Sequence, residues 1–135
     1  MSSKSTEIRA YMTPNPYSIG SEQPLRVAYD LMATHGIRHL PVLHGGKLVG
    51  IVSQRDLALI ESLPGVDPDE VSVEDAMTQD IYTTSEQAPL AEVAREMSAR
   101  KLGCTIITRR SDVVGVFTTV DALRALADQL DATSA

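Results

Sequence analysis

The chain repeats itself. Displaced by 65 positions without a gap, Met12-Thr13 falls on Met77-Thr78, Tyr17 on Tyr82, Pro24-Leu25 on Pro89-Leu90, Met32 on Met97, Val49-Gly50 on Val114-Gly115 and Asp56 on Asp121. Ordered identities with matching patterns between them mark a duplicated structural unit. The 135 residues are about one domain's worth of chain, so each copy has about 60 residues, too few to bury a comfortable core alone. The copies are therefore expected to pack on each other, sheet to sheet, with pseudo-two-fold symmetry and clefts where they meet.

Each copy reads as β-α-β-β-α, an α/β (α+β) pattern. After an extended piece at Tyr17-Ser18-Ile19, Pro24 and Gly36 bracket a helix whose stripe is Leu25, Ala28 and Met32. Leu40 to Leu43 and Leu48 to Val52 read as strands around a His44-Gly45-Gly46-Lys47 turn, and Leu57 to Ile60 as helix. The second copy has Leu90, Val93 and Met97 on a helix, strands at Thr105 to Thr108 and Val113 to Phe117, and a final amphipathic helix whose Leu123, Leu126 and Leu130 are expected to face the core, with a dimer contact as the alternative. The expected boundaries are 8–62 for the first repeat, 63–72 for a Pro- and Gly-containing connection and 73–130 for the second repeat, with polar tails at 1–7 and 131–135.

Composition narrows the function. A chain 43% hydrophobic and 22% charged can form a packed core. Four Tyr, one Phe and no Trp provide little for stacking nucleic-acid bases, and twelve basic against eighteen acidic residues oppose binding to DNA or RNA. A small anionic ligand would need local positive charge. The single Cys104 allows no intrachain disulfide, no apolar run is long enough for a membrane span, and the N-terminus does not read as a secretory signal, so a cytoplasmic location is expected.

Gly50-Ile51-Val52-Ser53-Gln54-Arg55-Asp56 and Gly115-Val116-Phe117-Thr118-Thr119-Val120-Asp121 share Gly, two apolar residues, Ser or Thr, two free positions and Asp. Taken singly, each is a capping box at a helix N-terminus, with the Gly at a bulge or a close backbone approach. The same geometry can also hold a nucleotide: unpaired N–H groups and a hydroxyl suit a phosphate, and a neighbouring carboxylate can accept both hydroxyls of a ribose. Recurrence in both copies favours two equivalent sites.

Together with Tyr11-Met12-Thr13-Pro14, Ala76-Met77-Thr78 and Gly36-Ile37-Arg38-His39-Leu40-Pro41-Val42, these endings make the chain resemble a tandem pair of CBS domains, the Bateman module, over about residues 8 to 130. The resemblance implies a regulatory module, not an enzyme, that needs no cofactor and binds adenosine-containing ligands (AMP, ADP, ATP or S-adenosylmethionine) in clefts between its repeats. It implies a homodimer acting as an energy or metabolite sensor on an unidentified protein. By the same resemblance Asp56 and Asp121 hold ribose hydroxyls, Ser53 and Thr118 contact phosphate, and Ser18 and Thr83 line the clefts. Ile37, Arg38, His39 and Pro41, with Leu102, Cys104 and Ile106, would cradle adenine.

The second repeat departs from the pattern: Gly103 stands where Arg38 is, Ile106 where Pro41 is and Val120 where Arg55 is, so the two sites should differ in positive charge. His35, His39, His44 and Cys104 do not read as a metal set, because Gly36 and Pro41 break the helix that would align the first two. Cys104 has no adjacent base, and Ser53, Asp56 and His39 lack a nucleophile elbow. Arg109-Arg110 reads as a solvated turn. The competing expectation is a ligand-free dimerisation or scaffold module of the same fold.

Overall fold

The computed structural model describes residues 6–134. Residues 1–5 and 135, parts of the expected tails, lie outside this range. The chain forms two compact units, and their division does not follow the sequence repeats. One is Pro16–Ile81; the other joins the described residues up to Asn15 to those from Tyr82 onward. Each unit thus combines the strands and helices of one repeat with the opening Met-Thr segment of the other.

The Pro16–Ile81 unit needs β2 (Ile19–Gly20), α1 (Leu25–His35), β3 (His39–His44), β4 (Lys47–Ser53), α2 (Gln54–Glu61) and α3 (Val73–Ala76). Its sheet order is β2-β3-β4, parallel then antiparallel. Pro24 precedes α1 in an extended conformation, and Gly36 ends the helix at φ 63°, its N–H returning to the Met32 carbonyl. The stripe of Leu25, Ala28 and Met32 packs with Leu40, Val42, Val52 and Leu57 in one core. Tyr29 ties α1 to α2 by donating to the Leu57 carbonyl at 3.0 Å and the Glu61 carboxylate at 2.6 Å.

The other unit repeats this plan with β5 (Thr83–Thr84), α4 (Leu90–Arg100), β6 (Cys104–Arg109), β7 (Asp112–Thr118) and α5 (Thr119–Ser134), and adds β1 (Thr13–Pro14) at its edge, giving the order β1-β7-β6-β5. Its core holds Ile8, Val93, Met97, Ile107 and Phe117. The hairpin turn formed by Gly45 and Gly46 (φ 57° and 80°) recurs at Arg110 and Ser111 (φ 50° and 73°), with the left-handed pair that a two-residue turn needs. Arg109 is tied to Glu86 at 2.7 Å, and this partner holds the Glu86 carboxyl below its ordinary value.

The glycines of the shared motif are accounted for by the exchanged segments. A Cβ on Gly50 would lie 2.7 Å from the Met77 Sδ and 2.9 Å from the Thr78 carbonyl oxygen, and one on Gly115 would lie 2.5 Å from the Met12 Sδ. Both alternatives read from the sequence are present at once: the strands also slip register beside each glycine, between Val42 and Leu43 and between Ile107 and Thr108. The opening segments then pair with the strands that receive them, Thr78 with Ile51 and Thr13 with Val116.

Two expectations are corrected. Thr6 and Glu7 are not mere tail: the Thr6 carbonyl accepts from Leu90 N–H at 2.7 Å and Glu7 bridges to Pro89, while residues 131–134 continue α5. Nor does the final helix turn its leucines inward. Leu123, Leu126 and Leu130 are 65%, 54% and 59% exposed, whereas Ala125 is buried and Ala122 packs on the core. The helix meets the core through Ala122 and Ala125, and an apolar groove lined by Leu90, Ala94, Phe117, Ala125 and Leu126 stays open between α4 and α5.

Candidate functional site

In the Pro16–Ile81 unit the junction of β4 and α2 brings Ser53, Asp56 and His39 together. The Ser53 N–H donates to Asp56 Oδ2 at 2.9 Å and the Asp56 N–H donates to Ser53 Oγ at 3.0 Å, a complete capping box. The local sequence fixes this arrangement: a strand ends at a hydroxyl residue and an acid follows three positions later. His39 is paired with Ser53 across the hairpin. Burial pulls its imidazole below the ordinary value, with Asp56 opposing and Arg38 reinforcing the shift, so all three charges act at one place. Asp56 is half-buried and Arg38 exposed. Among the described residues, the Asp56 carboxylate accepts a hydrogen bond only from Ser53.

The junction of β7 and α5 has the same reciprocal frame: Thr118 N–H donates to Asp121 Oδ2 at 3.0 Å and Asp121 N–H reaches Thr118 Oγ1 at 3.4 Å. Here the aspartate is enclosed. Thr13 Oγ1 lies 3.3 and 3.4 Å from its two oxygens, Arg124 Nη2 is 3.3 Å from Oδ1, and the residue is 3% exposed. Arg124 also donates to the Tyr11 carbonyl at 2.8 Å, and the Tyr11 hydroxyl donates to Asp128 at 3.0 Å. Cys104 faces Thr118 across this hairpin where the other has His39. Burial, with the charge of Asp121 added, pushes its thiol up to about 12, so it carries no thiolate near neutral pH.

The remaining candidates are distributed within their own units. Pro41 pairs with Ile51, and Ile106 with Val116 and Thr83. Ile37 and Leu102 pack against the two cores, and Ser18 is exposed just before β2. Arg55, one residue before Asp56, lines a groove between α1 and α2 with Tyr29, Met32 and Ala58. The histidines separate: His35 stacks on Tyr17 with centroids 3.7 Å apart, and His44 Nδ1 lies 3.0 Å from Ser21 Oγ. Sequence reading missed Thr13, Tyr11, Arg124 and Asp128. Their signal was only the spacing of Asp121, Arg124 and Asp128 along a helix read for its leucines.

A duplicated β-α-β-β-α unit whose second hairpin strand runs through Gly-x-x-Ser/Thr-x-x-Asp into a helix defines a class of paired modules. The sequence profile of the CBS domain matches residues 8–61 and 73–128, and the chain belongs to that family as a tandem pair. It is similar to a putative acetoin utilization protein (AcuB) from Vibrio cholerae, at TM-score 0.84 and 29% identity, covering 97% of each chain. It is also similar to the CBS domain pair of protein MJ0100, solved with 5′-methylthioadenosine and S-adenosyl-L-methionine, at TM-score 0.84 and 26% identity, covering 93% of this chain and 99% of that one. Among curated relatives, inosine-5′-monophosphate dehydrogenase of Thermoplasma acidophilum is 32% identical over 108 residues, covering 79% of this chain. The L-aspartate semialdehyde sulfurtransferase of Methanocaldococcus jannaschii is 29% identical over 126 residues, covering 92% of this chain. The chain spans only 21% and 24% of the lengths of those two enzymes. Among the described residues no helix is long and apolar enough to cross a membrane.

Proposed function

We propose that the chain is a regulatory module that binds an adenosine-containing ligand (AMP, ADP, ATP or S-adenosylmethionine) and performs no chemistry on it. The observation that carries this reading is the half-buried Asp56 carboxylate, held in place by Ser53 and flanked by His39 and the exposed Arg38. Its unshared oxygen can accept ribose hydroxyls, while the first N–H groups of α2 and the Arg38 guanidinium favour a phosphate or carboxylate nearby. Ser18, Ile37 and Pro41 would complete this end of the site, and Thr83, Leu102, Ile106 and Thr118 are their counterparts around Asp121. Binding regulates by favouring whichever conformation holds the ligand more tightly.

Small molecules released on denaturation and identified by mass spectrometry, followed by calorimetry of the stripped protein with AMP, ATP and S-adenosylmethionine, test the reading. It predicts saturable binding of at least one of them. Folded, stripped protein that binds none would refute it.

The exposed Val120, Leu123 and Leu130 recur on one face of α5 and support pairing with a second copy. Light scattering should then show a dimer that Leu123→Lys converts to a monomer; a native monomer would contradict this part.

A further inference from the structure

We infer that the Asp121 carboxylate is the keystone of an internal clasp, so that the β7–α5 junction is closed to ligand and the chain binds one adenosine-containing molecule, at Asp56. This rests on the function proposed above and adds which aspartate serves it. A carboxylate has about four acceptor positions. In Asp121 they are met by the Thr118 N–H and hydroxyl, the Thr13 hydroxyl and the Arg124 guanidinium. A ribose diol would have to displace these donors, and the loss is not local. Arg124 also holds the Tyr11 carbonyl, and Tyr11 holds Asp128, so the opening segment Tyr11–Thr13 is fastened to α5 through the same cluster.

The other unit has no such clasp. Arg124 and Asp128 are replaced by Leu59 and Leu63, and Tyr11 by Ala76. Leu59 and Leu63 are 67% and 51% exposed. Thr78 pairs with Ile51 through its backbone, N–H to carbonyl at 2.8 Å and the reverse at 3.0 Å, and among the described residues its hydroxyl makes no bond to Asp56. The charge open to a ligand differs as well: the exposed Arg38 stands beside Asp56 where Gly103 stands beside Asp121, and the one guanidinium at Asp121, that of Arg124, is already paired with it.

Calorimetry with AMP and S-adenosylmethionine on the native chain, Asp56→Asn, Asp121→Asn and the double variant Thr13→Val/Arg124→Gln separates the possibilities. One molecule per chain is expected. Asp56→Asn should weaken binding by about tenfold or more, the worth of one charge-assisted hydrogen bond. The double variant should keep the first affinity within about twofold and gain a second, weaker event at the freed Asp121. Two molecules bound by the native chain, a greater loss from Asp121→Asn than from Asp56→Asn, or no second event in the folded double variant would each overturn the inference while leaving the proposed function standing. No binding of AMP, S-adenosylmethionine or ATP by the native chain would instead remove that function and the ligand assignment with it. Should Asp121→Asn fail to fold, thermal denaturation of Thr13→Val against Thr78→Val reads the clasp without ligand. A larger loss at Thr13 supports it, and equal losses contradict it.

Discussion

The junctions at Ser53–Asp56 and Thr118–Asp121 share one motif and one pair of reciprocal hydrogen bonds, yet the aspartates end in opposite situations. Asp121 is enclosed by Thr13, Thr118 and Arg124; Asp56 is left with Ser53 and a half-open carboxylate. The motif therefore specifies a helix cap. What the cap is used for is decided by residues outside it, above all by the segment received from the other repeat. Tyr11-Met12-Thr13 brings an aromatic hydroxyl and a hydrogen-bonding threonine to α5, whereas Ala76-Met77-Thr78 brings to β4 the methionine that fits over Gly50 and a Thr78 backbone that pairs with Ile51.

The largest expected difference lies in the aspartates themselves. Asp121→Ala removes a buried acceptor, leaves the Arg124 charge and two hydroxyls without it, and should cost about 3 kcal/mol in denaturant unfolding. Asp56→Ala loses mainly a cap interaction, about 1 kcal/mol. Equal costs would erase the comparison.

The glycines come next. An added methyl at Gly50 meets a backbone carbonyl as well as Met77, and a carbonyl held in strand pairing cannot step aside. At Gly115 the three nearest atoms all belong to the flexible side chain of Met12. Gly50→Ala should cost about 2–3 kcal/mol and Gly115→Ala about 1 kcal/mol.

A smaller gain is expected from Thr105, whose buried Oγ1 has no hydrogen-bond partner among the described residues and whose counterpart is the core residue Leu40. Thr105→Val should raise stability by about 1 kcal/mol, visible as a higher thermal midpoint.

The smallest effect is one of pH and belongs to the Asp56 unit alone. His39 has a folded-state value below 6.5, so between that value and 6.5 the unfolded chain binds more protons. Its contribution is complete above pH 6.5 and is lost as the pH falls toward the folded value. The thermal midpoint should decline over that window, and His39→Gln should flatten the decline.

Much of the fold was legible because its punctuation is local. Pro24 and Gly36 bracket α1, and Gly45-Gly46 turn the hairpin, each through a backbone preference of its own residue type. Segments 8–15 and 73–78 were not legible as elements, being too short to show a period and stabilised by distant partners. The face of α5 was not legible because three leucines outweigh two alanines in a hydrophobic pattern, whereas it is Ala122 and Ala125 that meet the core. At the site, the Ser53–Asp56 cap could be read three residues apart. The clasp could not, since Tyr11 and Asp128 are separated by 117 positions. Arg55 stands within the motif, yet the turn of α2 carries it to the groove beside Tyr29.

Amide chemical shifts recorded while AMP and S-adenosylmethionine are titrated into isotope-labelled protein test most directly whether the two junctions have parted roles. Saturating shifts are predicted at Arg38, His39 and Ser53–Asp56, with Thr118–Asp121 unmoved. Saturating shifts at Thr118–Asp121 while Ser53–Asp56 stay still would contradict the account.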